Sequence, residues 1–385
     1  MIKKIATGIA MGFFLLVSIP LLAQNDTANV LPSWAFGGFK RPANNPIITP
    51  KESSRFFDPV LEKKVDWESN DTFNPGAVVK DGKVYVLYRA EDKTGVQIGH
   101  RTSRIGCAVS SDGLNFKRSP TPVLYPANDD QKKYEWPGGV EDPRVAVTED
   151  GTFVVFYTAW NRDVPRLGVA TSKDLKNWTK HGPIFESAHE GKFNKVPHKS
   201  ASIVTRLVGD KQVVAKINGK YWMYWGELGV FAATSDNLVD WEILLDEQGN
   251  PKPLISPRKN HFDSDLTECG PPAIMTKDGI LLLYNGKNNV EYGDKRFTGN
   301  SYCAGQVLFD SNDPTKVLGR LDVPFMRPME DFEKSGQYVN GTVFLEGLVY
   351  FKKKWFLYYG CADSRVGVAV YDPSNPSLPD PLPSR

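Results

Sequence analysis

Five times along the chain a short apolar run ends in tyrosine just behind a tight turn, and this recurrence leaves few folds open. The runs are Lys83–Tyr88, Thr152–Tyr157, Lys220–Tyr224, Ile280–Tyr284 and Lys354–Tyr359. Four follow a turn pair directly, Asp81-Gly82, Asp150-Gly151, Asn218-Gly219 and Asp278-Gly279, and the fifth uses Lys352-Lys353. Such pairs supply the positive φ angles of a tight hairpin. A second repeat follows the first three runs: Ser110 to Phe116 (SSDGLNF), Thr171 to Trp178 (TSKDLKNW) and Thr234 to Trp241 (TSDNLVDW). Further strands are read at Ile105–Val109, Leu167–Ala170, Val230–Ala233, Gln306–Phe309 and Val366–Val370.

No long stretch carries the 3.6-residue apolar period of a helix; β-branched and aromatic runs bounded by Gly, Asp and Asn dominate. Each unit reads as four short strands, and one such sheet cannot cover its own apolar faces. Five units stacked radially can, which predicts an all-β, five-bladed β-propeller. The units recur every 60 to 75 residues or so, longer than the roughly 40 to 50 of common propeller repeats. The excess is expected in loops, which suits a binding face on a rigid scaffold. A tandem immunoglobulin-like array is the rival fold, but it does not explain five units of one pattern. Residues 24–385 are expected to form one catalytic domain, with 24–70 helping to close the ring.

The first residues are set apart from the fold. Lys3 and Lys4 precede a nearly unbroken apolar stretch, Ile9 to Leu22, followed by Ala23 and the polar Gln24. Residues 1–23 therefore read as a cleaved secretory signal peptide. The stretch is short for the roughly 20 residues of a membrane span. With no Cys near the cut to accept a lipid, the expectation is a periplasmic or secreted protein, not inserted in a membrane. The 385 residues hold 47 Lys and Arg against 45 Asp and Glu. The segment removed carries two Lys and no acid, so the mature chain is balanced. Nothing in that balance points to nucleic acid, which requires clustered cations. Cys107, Cys269, Cys303 and Cys361 are scattered and lack the spacing of a metal site; buried thiols are expected, with a disulfide as the alternative. Neither metal nor cofactor is implied.

In a propeller, the starts of the innermost strands and the ends of the second strands converge on a central pocket. The first set gives Asn74, Glu141 to Arg144 with Asp142 among them, His198 to Ser200 around Lys199, Glu268 to Pro271, and Val339 to Gly341. The second gives Arg89 to Glu91, Trp160 and Asn161, Glu227, Asn285, and Asp363. Convergent carboxylates with Arg89, Arg144 and many aromatics, in a chain of little net charge, point to a sugar. Glycosides are cleaved by paired carboxyl groups, closer together in retaining than in inverting enzymes. Spacing alone does not say which pair acts.

Tyr88 to Asp92 (YRAED), Arg104 to Gly113 (RIGCAVSSDG), Gly138 to Arg144 (GGVEDPR) and Tyr358 to Asp363 (YYGCAD) together resemble glycoside hydrolase family 130. That family consists of five-bladed propellers acting on β-mannosides as inverting phosphorylases or hydrolases. The resemblance implies Asp142 as proton donor, acting through a hydroxyl of the mannose. It implies Asn74, Arg89, Lys199 and Asp363 as holders of the terminal sugar; by their places in the chain, Glu91 and Arg144 are expected in the same wall and His261 at the rim. The phosphorylases need an Arg, His and Lys cluster for phosphate; here His198 and Lys199 lack a clear Arg partner. Glu227 and Glu268 instead resemble the two glutamates of the family's secreted β-1,2-mannosidase branch, known from gut Bacteroides-type bacteria. Either could serve as catalytic base, with Glu227 slightly favoured. The implied partner is a mannose-containing oligosaccharide, cut by an inverting exo-acting β-1,2-mannosidase. A mannoside phosphorylase, a non-catalytic glycan-binding propeller and an arabinanase- or fructosidase-type enzyme are the alternatives. Trp178 and Trp241 read as anchors of outer strands rather than sugar platforms.

Overall fold

A computed structural model describes residues 30–383. Residues 1–23, read above as an export signal, lie outside them. The turn pairs do close hairpins. Asp71–Lys80 pairs antiparallel with Lys83–Glu91, which pairs in turn with Ser103–Ser110 and through it with Lys117–Arg118. The second blade is Gly139–Val147, Phe153–Trp160, Arg166–Ser172 and Thr179–Pro183. The third is Ala201–Val208, Lys220–Trp225, Phe231–Ser235 and Glu242–Ile243. In the fourth, a broken inner strand, Leu266–Cys269 and Ala273–Met275, precedes Ile280–Lys287, Tyr302–Phe309 and Val317–Arg320. The fifth contributes Val343–Phe351, Lys354–Cys361 and Arg365–Tyr371. The fold is a five-bladed β-propeller.

The fifth blade gains its outer edge from the other end of the chain. Lys40 exchanges backbone hydrogen bonds with Val370 at 2.9 and 2.8 Å, and Ile47 and Ile48 pair with Val366. The Asn45 side chain adds two more to Val368. On the inside, Val343–Phe351 packs beside Asp71–Lys80, bringing the last blade against the first. Glycine permits that approach, since a Cβ on Gly347 would lie 2.7 Å from the Pro75 carbonyl oxygen; between the first and second blades, one on Gly76 would lie 2.3 Å from that of Pro143.

The repeated tyrosine has a repeated environment. Tyr88, Tyr157, Tyr284 and Tyr359 lie across from Gly106, Gly168, Gly305 and Gly367 on the third strand, where the ring occupies the space of a side chain. Each hydroxyl then donates to a buried carboxylate from the segment before its blade: Glu68 at 2.7 Å, Glu135 at 2.8 Å, Asp263 at 2.6 Å and Glu333 at 2.8 Å. A cation from the fourth strand completes the clamp, Arg118, Lys180 and Arg320 in turn. For the fifth blade it is Arg41, beside the residue that forms the outer edge. The third blade departs from this pattern: Ala232 faces Tyr224, whose hydroxyl donates to the Pro314 carbonyl.

The polar turns repeat because they satisfy their own backbone. Asp112 accepts from the N–H groups of Leu114 and Asn115, Asp174 from those of Lys176 and Asn177, and Asn237 from those of Val239 and Asp240. Trp241 is buried against Phe156 between the second and third blades. All four cysteines are buried thiols. Among the described residues no helix is long and apolar enough to cross a membrane.

Candidate active site

The starts of the inner strands and the ends of the second strands meet at one end of the axis. A sharp backbone feature marks the place in each of the first two blades: Asn74 and Asp142 sit in bulges with φ of 47° and 51°. Asp363 also takes a positive φ, 50°, at the end of the fifth blade's second strand. Bulges of this kind turn a side chain out of the pleat, and left-handed backbone costs free energy that only a packed surrounding sustains.

Arg89 organises the first half of the pocket. Its guanidinium lies 2.6 Å from Glu91, 2.9 Å from Glu141 and 3.2 Å from Asp142, and donates to Ser103 at 3.1 Å. Its carbon lies 4.7 Å from the centre of the Phe73 ring. The Asn74 amide donates to the same Asp142 oxygen at 2.9 Å. Burial pushes Asp142 upward, but Arg89, then Lys199 and Arg144, outweigh it and hold the carboxyl below its ordinary range. Its neighbour Glu141 is raised by burial to about 7, against the pull of Arg89. Burial likewise raises Asp363 to about 7, with Arg89 opposing.

The second half holds a lysine between two glutamates. Lys199 Nζ is 3.2 Å from Glu227 Oε1. Burial opposes the charge on Lys199, yet Glu268, followed by Glu227, Asp142 and Glu141, outweighs it and keeps the ammonium protonated. Glu268 is almost wholly enclosed and accepts from the Ser200 hydroxyl. Burial raises it to about 7, with Lys199 opposing and Glu227 adding to the rise. Glu227, by contrast, has a side chain 39% exposed.

Asn74, Arg89, Glu91, Asp142, Lys199, Glu227, Glu268 and Asp363 are thus brought into one charged assembly. The remaining two expected residues, Arg144 of the wall and His261 of the rim, have other partners. Arg144 is beneath the pocket, 1% exposed, donating to the carbonyls of Asp142, Cys269 and Gly270. His261 is at the edge of the fourth blade, bound to the Lys259 carbonyl and 3.7 Å from Asp322. His198 is turned into the core: its Nδ1 accepts from the Leu167 N–H at 2.8 Å, and burial lowers it to about 3, so the ring is neutral. Asn340, read as the opening of the fifth inner strand, is exposed, and Glu346 takes the axial place instead.

Sequence reasoning also passed over Ser103, Tyr302 and Arg101. Arg101 bonds Asp71 at 2.9 Å and Glu91 at 3.2 Å. The Tyr302 phenol is pushed up by burial, then by Glu268 and Tyr338, which places it in the same electrostatic field. The opposite end of the axis holds a cavity of about 550 Å³ lined by Val78, Val79, Val145, Val147, Val213 and Val349 and ringed by charged residues such as Lys80, Asp81, Glu149 and Lys352. The charged assembly lies at the other end.

The fold agrees with what the chain is similar to. The profile of glycoside hydrolase family 130, described as beta-1,4-mannooligosaccharide phosphorylase, matches residues 39–374. The chain belongs to glycoside hydrolase family 130. It is 32% identical to a 1,2-beta-oligomannan phosphorylase of Thermoanaerobacter sp. (strain X514), over 86% of this chain and 97% of that one. A solved glycosyl hydrolase from Bacteroides ovatus is 63% identical, with a TM-score of 0.91, over 92% of this chain and 99% of that one. Another solved structure, also 63% identical, has a TM-score of 0.92 and covers 93% of this chain and 100% of that one. It comes from work on glycoside hydrolases within the family of mannoside phosphorylases that target beta-1,2 mannosidic linkages in Candida mannan. The enzymes of the family act on mannosides.

Proposed function

We propose that this protein is an inverting, exo-acting β-1,2-mannosidase that hydrolyses terminal β-1,2-linked mannose from mannan-type oligosaccharides outside the cytoplasm. The observation that carries the reading is the lysine held between two glutamates. A phosphate approaching Lys199 would meet Glu227, 3.2 Å from the ammonium, and the enclosed Glu268. Like charges at such separations repel by several kcal/mol at the effective dielectric of a protein surface, about 20. The histidine next in sequence is neutral and faces the core, so no imidazolium offsets that repulsion. Water is uncharged and is not excluded; a carboxylate beside it acts as a general base.

In this mechanism the mannose sits over Asn74, Arg89 and Asp363. Asp142, which Arg89 holds ionised in the free enzyme, takes up a proton as the sugar covers it. It delivers that proton to the leaving oxygen through a hydroxyl of the same sugar, while Glu227 or Glu268 takes a proton from the attacking water. Arg89 holds its carboxylate neighbours in place by three ion pairs. The hydrolase work attached to a 63%-identical relative supports hydrolysis. The names of the relatives at 30 and 32% identity favour phosphorolysis as the second reading.

Proton NMR of the anomeric signals, with β-1,2-mannobiose and with or without phosphate, separates the two. Early α-mannose that ignores phosphate is expected. α-Mannose 1-phosphate formed only when phosphate is present would overturn hydrolysis. Glu227→Gln and Glu268→Gln are each expected to slow hydrolysis; if both leave it intact, the assignment of the base fails.

A further inference from the structure

Glu346 interrupts an otherwise apolar inner strand, Val343–Phe351. Leu345 pairs with Tyr359 and Gly347 with Tyr358, so Glu346 is left in a bulge that turns it onto the axis. It is fully buried, and neither carboxyl oxygen has a hydrogen-bond partner. Such a group lowers stability, and an apolar residue of similar volume would serve the fold at least as well. Its one charged contact is Arg144, with Oε1 3.1 Å from Nη1.

Arg144 in turn ties two strands together. Nη1 donates to the carbonyl of Asp142 at 3.0 Å and Nη2 to that of Cys269 at 3.0 Å. Nε reaches the Gly270 carbonyl at 3.4 Å. One guanidinium therefore spans the backbone that carries Asp142 and the backbone that carries Glu268. The nearest alternative anion for it is Glu268 itself, 4.0 Å away. The charged groups facing Glu346 are Arg144 and Asp142 on one inner strand, Glu268 on another and Arg89 on the adjoining second strand.

We propose that Glu346 is a positioning residue: through Arg144 it fixes the strands bearing Asp142 and Glu268, and it draws the guanidinium charge away from Glu268. The proposal rests on the mannoside-cleaving reading, in which those two carboxyl groups flank the reacting bond, and adds to it a group that never touches substrate. A misplacement of the reacting groups by about 1 Å costs on the order of a hundredfold in rate. Burial holds the Glu346 carboxyl well above its ordinary range, with Arg144 opposing, so what Glu346 supplies to Arg144 is chiefly a close oxygen partner. Removing that partner would also leave Arg144 free to turn toward Glu268 and favour its ionised form.

Glu346→Gln tests both consequences. With β-1,2-mannobiose, kcat is expected to fall about ten- to hundredfold while KM stays within about twofold. Carboxyl-carbon NMR of labelled Glu268 should show its titration midpoint moving to lower pH by about one unit. A parent-like midpoint would overturn the electrostatic part, and a parent-like kcat the positioning part. The titration needs no turnover. A parent enzyme inert toward this sugar would therefore end the mannosidase reading, with the midpoint still judging Glu346. If Glu346→Gln does not fold, the double replacement Arg144→Met with Glu346→Leu exchanges the buried polar pair for apolar side chains and is expected to fold. It should show the same loss of kcat at nearly unchanged KM; parent-like turnover would overturn the proposal.

Discussion

The blade clamps and the axial pocket both bury carboxylates, but in opposite company. In a clamp, one acid meets one tyrosine hydroxyl and at least one cation; Glu333 also accepts the N–H groups of Met329 and Glu330. In the pocket, Glu91, Glu141 and Asp142 share Arg89, and Glu227 and Glu268 share Lys199. Clamp acids are matched and rigid. Pocket acids outnumber their cations, and burial raises three of them, Glu141, Glu268 and Asp363, to about 7; among the clamp acids it does the same to Glu135, against the pull of Lys180. Crowding of this kind lowers stability and keeps protons exchangeable near neutral pH, as expected where chemistry is done.

Substitutions sharpen the contrast. The largest effect is expected for Asp142→Asn, with turnover falling about 10²- to 10⁴-fold while thermal unfolding stays parent-like. Clamp damage should do the reverse. Glu333→Ala takes from Arg41 one of its two carboxylate partners, Asp380 remaining, and takes the acceptor from the Tyr359 hydroxyl. It should cost about 1–3 kcal/mol in denaturant unfolding, with activity per folded molecule retained. A pocket acid that destabilised equally on loss would break the comparison.

Titration gives the next effect. Glu268 holds its proton more tightly folded than unfolded, so its stabilising contribution is complete below about 4.5 and is lost as pH rises through about 7. Glu268→Gln should therefore unfold at a higher temperature than the parent at pH 8 and at about the same temperature at pH 4. The same group must be ionised to act as a base, so kcat/KM of the parent should fall as pH drops below about 7. The smallest effect is expected for Tyr157→Phe. It removes one hydrogen bond to Glu135 and leaves Lys180 in place, costing about 1 kcal/mol by chemical denaturation.

Much of this was legible in the chain because hairpin chemistry and strand patterning are local. The turn pairs, the five tyrosine-ended runs and the polar turns each carry their reason within a few residues. The charged positions flanking those runs were legible as well, since a charge at the mouth of an apolar strand must face either solvent or a polar pocket. Glu346 was missed although its signal was present: a glutamate in the middle of a nine-residue inner strand. It lies inside the run, and only the bulge shows that it turns inward. Arg144 misled for the related reason that a cation in a motif reads the same whether its donors face a ligand or a backbone.

By itself the sequence determined the repeat, the blade count and the set of carboxylates at one end, because each follows from spacing and from the short reach of turns. Tertiary structure decided the company each charge keeps. It turned His198 into the core, set Lys199 between two glutamates and placed Arg144 beneath the pocket. Those choices depend on groups far apart in the chain: Glu268 meets Ser200 across 68 residues, and the Gly270 carbonyl meets Arg144 across 126. Separation along the chain carries no information about direction in space, and a charge buried at such a meeting point is defined by its neighbours.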